Sequence, residues 1–407
     1  MNLMIEPSQL QGTVIPPSSK SQTHRLLLAA ALAEGESTIE NVSFSQDVEA
    51  TLRCLEALGA AWERTEEQTV RVTGLAGAAA DGGALPLFDC GESGTTLGLV
   101  VPVALAITGG GVFKGGGGLV GRPLGPYRDL FTQKGIAWEE GADTVTLRGR
   151  LESGDFAMPG HVSSQFFSGL MMALPLLEGE SLVKAVTPLE SAGYLNMTRD
   201  VLEQFGVGVR FEKGDYRIPG GQRYRTHSCA VEGDWSQAAF WYAANALGSD
   251  LTIEGLNPLS MQGDMMIAPH YLHLRRPGDL DIDVSGCPDL VPPLAAMASV
   301  RPGTVRLVNA GRLRLKESDR LRTVSSALNA LGASVEEGKD MLTIRGVTAL
   351  KGGTVNACGD HRIAMMTAVA ALASDGPVTV LGAECVRKSY PEFWEDYQGL
   401  GGKIRVL

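Results

Sequence analysis

Short runs in which apolar and polar residues alternate recur along the chain and end in glycine: Val70 to Gly74, Val145 to Gly149, Tyr216 to Gly220, Ile282 to Gly286 and Leu342 to Gly346. A last strand of the same kind, Ile404 to Leu407, closes the sequence. Alternation with period two marks a strand with one buried face. One such strand is uninformative, but a set whose closing glycines lie 60 to 75 residues apart marks an internal repeat. Most copies follow a helix with apolar residues three and four apart and a glycine at its end: Thr51 to Gly59, Tyr127 to Gly135, Arg199 to Gly206, Leu321 to Gly332 and Glu392 to Gly401. The copy around His270 is degraded. A helix-plus-strands unit used six times predicts an α/β protein with helices packed beneath small sheets. Six units divide naturally into two lobes of three, with the crossing near Glu232 and Gly233.

A second class of helix is apolar almost throughout, and its start carries cations. Lys20 stands in the first turn before Leu26 to Ala33, with Ser21 and Arg25 four apart on one face. Gly359-Asp360-His361-Arg362 opens the apolar run Ile363 to Ala373, and Leu315 to Arg320 starts a third helix with Lys316 and Arg320 four apart. Helix starts carry partial positive charge and normally collect Asp or Glu, a preference of about 0.3 to 1 kcal/mol each. Cations there cost stability unless an anion sits beside them, and hydroxyls with free backbone N–H groups make the usual phosphate cradle. Ser163, Ser164 and Gln165 precede the apolar run Phe166 to Leu177, and Arg122 follows the glycine run 115 to 118. Each cluster alone reads better as a solvated patch with local ion pairs; three together on an acidic chain shift the balance toward an anionic ligand. Asp289, set among apolar neighbours from Cys287 to Leu294, and Glu317, between Lys316 and Arg320, are candidate proton carriers. Apolar surroundings predict a raised carboxyl pKa; a cap or a salt-bridge partner is the equal alternative.

Composition narrows the choice. With 407 residues there is chain enough for two or three domains. Thirty-five Lys and Arg against 46 Asp and Glu give a net charge of −11, unattractive to nucleic acid and anionic membranes. The six cysteines are scattered without metal spacing, and no metal site is predicted. The start, Met-Asn-Leu-Met-Ile-Glu, lacks a secretory pattern, so a cytoplasmic setting is expected. The uncharged run from Gly94 to Phe113 is interrupted by Pro102 and glycines 109 to 111, which predicts a buried helix and a turn rather than a membrane span.

Nine strings, in order, carry a resemblance: SKSQTHR (19–25), DCGESGTT (89–96), GRPL (121–124), VSSQFFSGL (162–170), VEGDWSQAAF (231–240), QGD (262–264), LRLKESDRL (313–321), GDHRIAM (359–365) and RKSYPEF (387–393). Together they resemble the 5-enolpyruvylshikimate-3-phosphate (EPSP) synthase family of enolpyruvyl transferases, across essentially the whole chain. The resemblance implies two lobes, each of three βαβαββ units arranged as an inside-out, barrel-like α/β prism, with the active site in the cleft between them. It implies one lobe of residues 1–18 plus 233–407, another of 19–232, and hinges near 18–20 and 231–234.

The family reaction moves the enolpyruvyl group of phosphoenolpyruvate onto the 5-hydroxyl of shikimate 3-phosphate through a tetrahedral adduct that expels phosphate, and needs no cofactor. Carried over by motif, Ser21, Arg25, Ser163, Ser164, Gln165, Ser191, Asp289, Arg312 and Lys316 resemble the shikimate 3-phosphate site, with Tyr194 near it. Lys20, Gly94, Arg122, Gln165, Arg320, Arg362 and Lys388 resemble the phosphoenolpyruvate site. Asp289, Glu317 and Lys20 are the implied catalytic groups, and a monomer is expected.

Glu92 and Arg312 replace asparagines of the best-known members. Gly98 stands where the family pattern has arginine, which predicts weak phosphoenolpyruvate binding and a lower KM on Gly98→Arg. Two alternatives stay open at this point. The sister transferase acting on UDP-N-acetylglucosamine usually carries a loop cysteine, and none occurs from Gly115 to Gly121. A non-catalytic ligand-binding paralogue has Gly98 in its favour.

Overall fold

The computed structural model describes residues 1–75, 84–117, 119 and 124–407, and divides into two compact units. One is continuous, Ser18–Glu232; the other combines Met1–Pro17 with Gly233–Leu407. Each has its own apolar core. In the continuous unit the Ser19 N–H donates to the Glu232 carbonyl at 2.7 Å; in the other, the Asp234 N–H donates to the Pro17 carbonyl at 2.9 Å.

The continuous unit contains α1 (Lys20–Leu32), α2 (Gln46–Leu58), α3 (Gly94–Ile107), α4 (Gly125–Gln133), α5 (Ser164–Ala173) and α6 (Ala192–Gln204). The other adds α7 (Trp235–Ala246), α8 (Ile267–Leu274), α9 (Val291–Ser299), α10 (Arg320–Ala330), α11 (His361–Ala370) and α12 (Phe393–Gly399). Helices α1, α3, α5, α7, α9 and α11 are buried nearly all round, their largely apolar bodies in the cores and their polar residues mostly in the first turns. The even-numbered helices present an apolar stripe to the core. Gly59, Gly135, Gly206, Gly332 and Gly401, the glycines expected to end five of them, all have positive φ. Among the described residues no helix is long and apolar enough to cross a membrane.

The sheets repeat one plan. Asp155–Met158 runs parallel to Ser181–Ala185, which pairs antiparallel with Asp215–Ile218, itself antiparallel to Arg210–Glu212. The continuous unit holds three such four-stranded sheets, and the other holds two and a two-stranded remnant, Gln11–Val14 beside Asp250–Ile253. Six βαβ-type units therefore recur, and among the described residues no sheet closes into a barrel.

Two details correct the sequence reading. Ile282 and Asp283 end the strand Leu280–Asp283, the parallel first strand of its sheet, with Val284 to Gly286 beyond it, whereas Val70 to Gly74 and its counterparts occupy third place. Alternating burial ended by a turn describes either position. In the last sheet the third place is filled by the N-terminal strand Asn2–Glu6, with Lys403–Val406 at the edge. The expected buried helix and turn over Gly94 to Phe113 are present, with Pro102 inside α3.

Candidate active site

Serine hydroxyls cap the buried helices of the continuous unit: Ser19 accepts from the Gln22 N–H, Ser93 from Thr96 and Ser163 from Gln165. None of these helices has an acid in its first turn. Lys20 Nζ lies 2.6 Å from Asp47 Oδ2, and both side chains are mostly buried. Below this pair runs a chain of buried groups: His24 Nδ1 meets Thr51 Oγ1 at 2.6 Å, Thr51 meets Thr96 Oγ1 at 2.7 Å, and Thr96 donates to Ser93 Oγ at 2.8 Å. Burial, with Lys20 and Arg25 nearby, holds the His24 imidazole well below its ordinary pKa.

Arg25 is fully buried. Nε donates to Thr198 Oγ1 at 2.7 Å, and the two terminal nitrogens reach the Ser21 carbonyl at 2.6 Å and Ser168 Oγ at 3.1 Å. Burial draws its pKa down to about 10, with Tyr194 opposing. Gln165 Nε2 donates to Thr95 Oγ1 at 2.8 Å, which ties the start of α5 to that of α3 beside Gly94. Ser164 is buried, and Ser191 sits at the start of α6 with φ +56°. The starts of α1, α3 and α5 thus gather Lys20, Ser21, Arg25, Gly94, Ser163, Ser164 and Gln165. Arg122 lies outside the described residues.

In the other unit the centre is Arg320, the first residue of α10, which is fully buried. Asp360 grips it, Nε to Oδ2 at 2.8 Å and a terminal nitrogen to Oδ1 at 3.2 Å. Asp289 Oδ1 lies at 2.8 Å and Glu317 Oε2 at 2.5 Å. Burial opposes the guanidinium charge, but Asp360, Glu317 and Asp289 more than offset it, so its pKa rises. Lys316 Nζ is 3.3 Å from Asp289 Oδ1, and Arg362 is 3.3 Å from Oδ2. Arg362 also donates to Ser236 Oγ at 3.0 Å, and Lys388 Nζ to the Gly359 carbonyl at 2.9 Å. The starts of α7, α9 and α11 therefore converge. Arg312 lies in the 3-10 turn Gly311–Leu315 just before Lys316.

Three expectations change. Burial alone would push the Asp289 carboxyl up, but Arg362, Lys316 and Arg320 hold it well below the usual carboxylate range. Its apolar sequence neighbours are not its spatial ones. Lys316 is extended, outside the helix that begins at Arg320, so the two meet at Asp289 rather than along a helical face. Gly98 leaves no gap for an arginine: a Cβ there would come within 2.9 Å of Gln165 Cβ.

Sequence reading missed Asp360 as a partner of Arg320, Asp47 as a partner of Lys20, and Thr95, Ser168, Thr198 and Ser236. Asp360 carried a visible cap signal, since its side chain accepts from the Arg362 N–H. The others carried none.

Six βαβ-type units in two halves, with cations and carboxylates at buried helix starts, form the architecture of an enolpyruvyl transferase. The EPSP synthase from Acinetobacter baumannii shares the fold with a TM-score of 0.81 at 24% identity, covering 100% of both chains. The enolpyruvyl transferase NikO from Streptomyces tendae has a TM-score of 0.78 at 19% identity, covering 99% of this chain and 98% of its own. The family model for EPSP synthase (3-phosphoshikimate 1-carboxyvinyltransferase) matches residues 5–275 and 276–397, and the chain belongs to that family. A 3-phosphoshikimate 1-carboxyvinyltransferase from Clostridium kluyveri is 44% identical over 98% of this chain and 97% of the relative. Another, from Clostridium acetobutylicum, is 42% identical with the same coverage.

Proposed function

We propose that this 3-phosphoshikimate 1-carboxyvinyltransferase works through the two clusters of cations and carboxylates at its buried helix starts. The reaction is enolpyruvyl transfer from phosphoenolpyruvate to the 5-hydroxyl of shikimate 3-phosphate, with release of phosphate. The relatives named for this reaction, 44% and 42% identical over nearly the whole chain, favour it over the sister transferase acting on UDP-N-acetylglucosamine.

The observation that carries the site assignment is Asp289 held ionised between Arg320, Arg362 and Lys316. Both substrates bring a phosphate and a carboxylate, so cations fixed in advance stabilise charge without reorganising during the reaction. In this reading Ser21, Arg25, Ser163, Ser164, Gln165, Ser191, Arg312 and Lys316 hold shikimate 3-phosphate. Lys20, Gly94, Arg122, Gln165, Arg320, Arg362 and Lys388 hold phosphoenolpyruvate.

Asp289, as carboxylate, accepts the proton of the 5-hydroxyl as its oxygen attacks C2 of phosphoenolpyruvate. Glu317 or Lys20 delivers a proton to C3, giving a tetrahedral adduct with a methyl group. Expulsion of phosphate then returns a methyl proton to the protein and leaves the enol ether, so charge and protons balance. The chain passes from one unit to the other at residues 17–18 and 232–233. The enzyme works as a cytoplasmic monomer, and its net charge of −11 disfavours nucleic acid and anionic membranes.

A phosphate-release assay with both substrates tests the proposal. Release that needs both phosphoenolpyruvate and shikimate 3-phosphate, and falls at least about 100-fold in Asp289→Asn, supports it. Release that is unchanged in that variant overturns the site assignment.

A further inference from the structure

Helix α3 contains an internal proline, and the consequence falls on one carbonyl. Pro102 has no N–H, so the Gly98 carbonyl four residues earlier loses its helical donor. A buried carbonyl without a donor is costly. The Tyr127 hydroxyl of α4 lies 2.8 Å from that oxygen and 2.9 Å from the Phe166 carbonyl of α5. Phe166 already has the Leu170 N–H within its own helix, so the single phenol proton belongs to Gly98. The Tyr127 ring is buried against Phe131 and Phe166, with centroids 4.8 and 4.4 Å away.

The two helices meet here without side chains between them. A Cβ on Gly98 would come within 2.9 Å of Gln165 Cβ, and one on Gly169 within 2.2 Å of the Gly98 carbonyl and 2.6 Å of the Tyr127 hydroxyl. One turn before Gly98 on α3, Thr95 takes the Gln165 amide at 2.8 Å.

We infer that Tyr127 is a positioning residue for the reaction: its hydroxyl supplies the donor that Pro102 removes, keeps the Gly98 carbonyl satisfied where α3 packs against α5, and so fixes the Gln165 side chain against Thr95. The inference rests on the reading above that Gln165 faces phosphoenolpyruvate. Burial keeps the phenol protonated, its pKa well above the ordinary value, so the donor is present throughout the working pH range.

The test is a pair of variants under steady-state kinetics, with the Gln165 side-chain amide followed by NMR. Tyr127→Phe is expected to raise the KM for phosphoenolpyruvate about five- to tenfold, change kcat less than threefold and shift the Gln165 amide resonance. Adding Pro102→Ala restores an N–H to α3, so the double variant should return within about twofold of the wild-type KM. A Tyr127→Phe enzyme with unchanged KM, or a KM that Pro102→Ala does not restore, overturns the donor role of Tyr127. If the wild type fails to turn over the two substrates, the functional reading is at fault. The amide shift and its reversal in the double variant still judge the donor role of Tyr127.

Discussion

Asp289 divides its carboxylate between two arginines, with Oδ1 2.8 Å from Arg320 and Oδ2 3.3 Å from Arg362. Neutralising it leaves three cations, Lys316 included, crowded around a group that no longer offsets them. Removing one partner of a buried ion pair costs about 3 to 5 kcal/mol. Asp289→Ala should therefore lower the melting temperature as well as activity. Its folded pKa is depressed, so the stabilisation is complete above the unfolded carboxyl value near ~4 and is lost as pH falls through the folded value. The melting-temperature gap between wild type and Asp289→Ala should hold from pH 8 to 5 and narrow only below about 4. A gap that closes between pH 7 and 5 would count against this ion-pair assignment.

His24 predicts an acid loss of stability too, but at milder pH. Its imidazole is buried beside Lys20 and Arg25, and its pKa lies well below the ordinary value. As pH falls through about 6.5 the unfolded chain takes up a proton that the folded one refuses. Stability is then lost by up to about 1.4 kcal/mol per pH unit. Urea melts at pH 7.5, 6.5 and 5.5 should show a steeper loss in wild type than in His24→Asn. Parallel losses would mean that His24 does not carry the effect.

How much of this was legible in the sequence depended on how far apart the partners lie along the chain. Apolar or uncharged runs announced α1, α3 and α5, because burial of a whole helix is written in its local composition. The grip of Asp360 on Arg320 spans 40 residues, and that of Arg362 on Asp289 spans 73. No local pattern encodes either. The sign of the Asp289 shift was misread for that reason: neighbours in sequence are apolar, whereas neighbours in space are cationic. The strand at Ile282 was misplaced because two-residue periodicity reports one buried face and not the strand's place in a sheet.

All six cysteines are free, but their surroundings differ. Cys358 is exposed, whereas Cys54, Cys90, Cys287 and Cys385 are buried. A hydrogen bond with Cys54, then burial, pushes the Cys90 thiol far up; burial, then Glu40, pushes Cys229 up to about 11. Thiolate is the reactive form. Titration of the native protein with a chromogenic disulfide at pH 7.5 should show one fast thiol, absent in Cys358→Ser, and the other five only on unfolding. Two or more fast thiols would contradict the packing around Cys54 and Cys90.

Gly98 gives the sharpest contrast between motif and structure. Read against the family pattern, it is a missing cation that Gly98→Arg should restore, with a lower KM for phosphoenolpyruvate. The packing argues the reverse. Gly98 is buried where α3 crosses α5, and any Cβ would press on Gln165 Cβ at 2.9 Å, a branch point that cannot swing aside as a side-chain tip can. Overpacking of this kind costs about 1 to 3 kcal/mol. Gly98→Ala, which adds only the methyl, should already lower the melting temperature and raise the KM for phosphoenolpyruvate as Gln165 is displaced from Thr95. Gly98→Arg must force the same displacement and bury or redirect a guanidinium, so its KM should be higher still. Measuring both variants beside wild type separates the two accounts: a KM that falls in Gly98→Arg favours the missing cation, and one that climbs from Ala to Arg favours the close helix crossing.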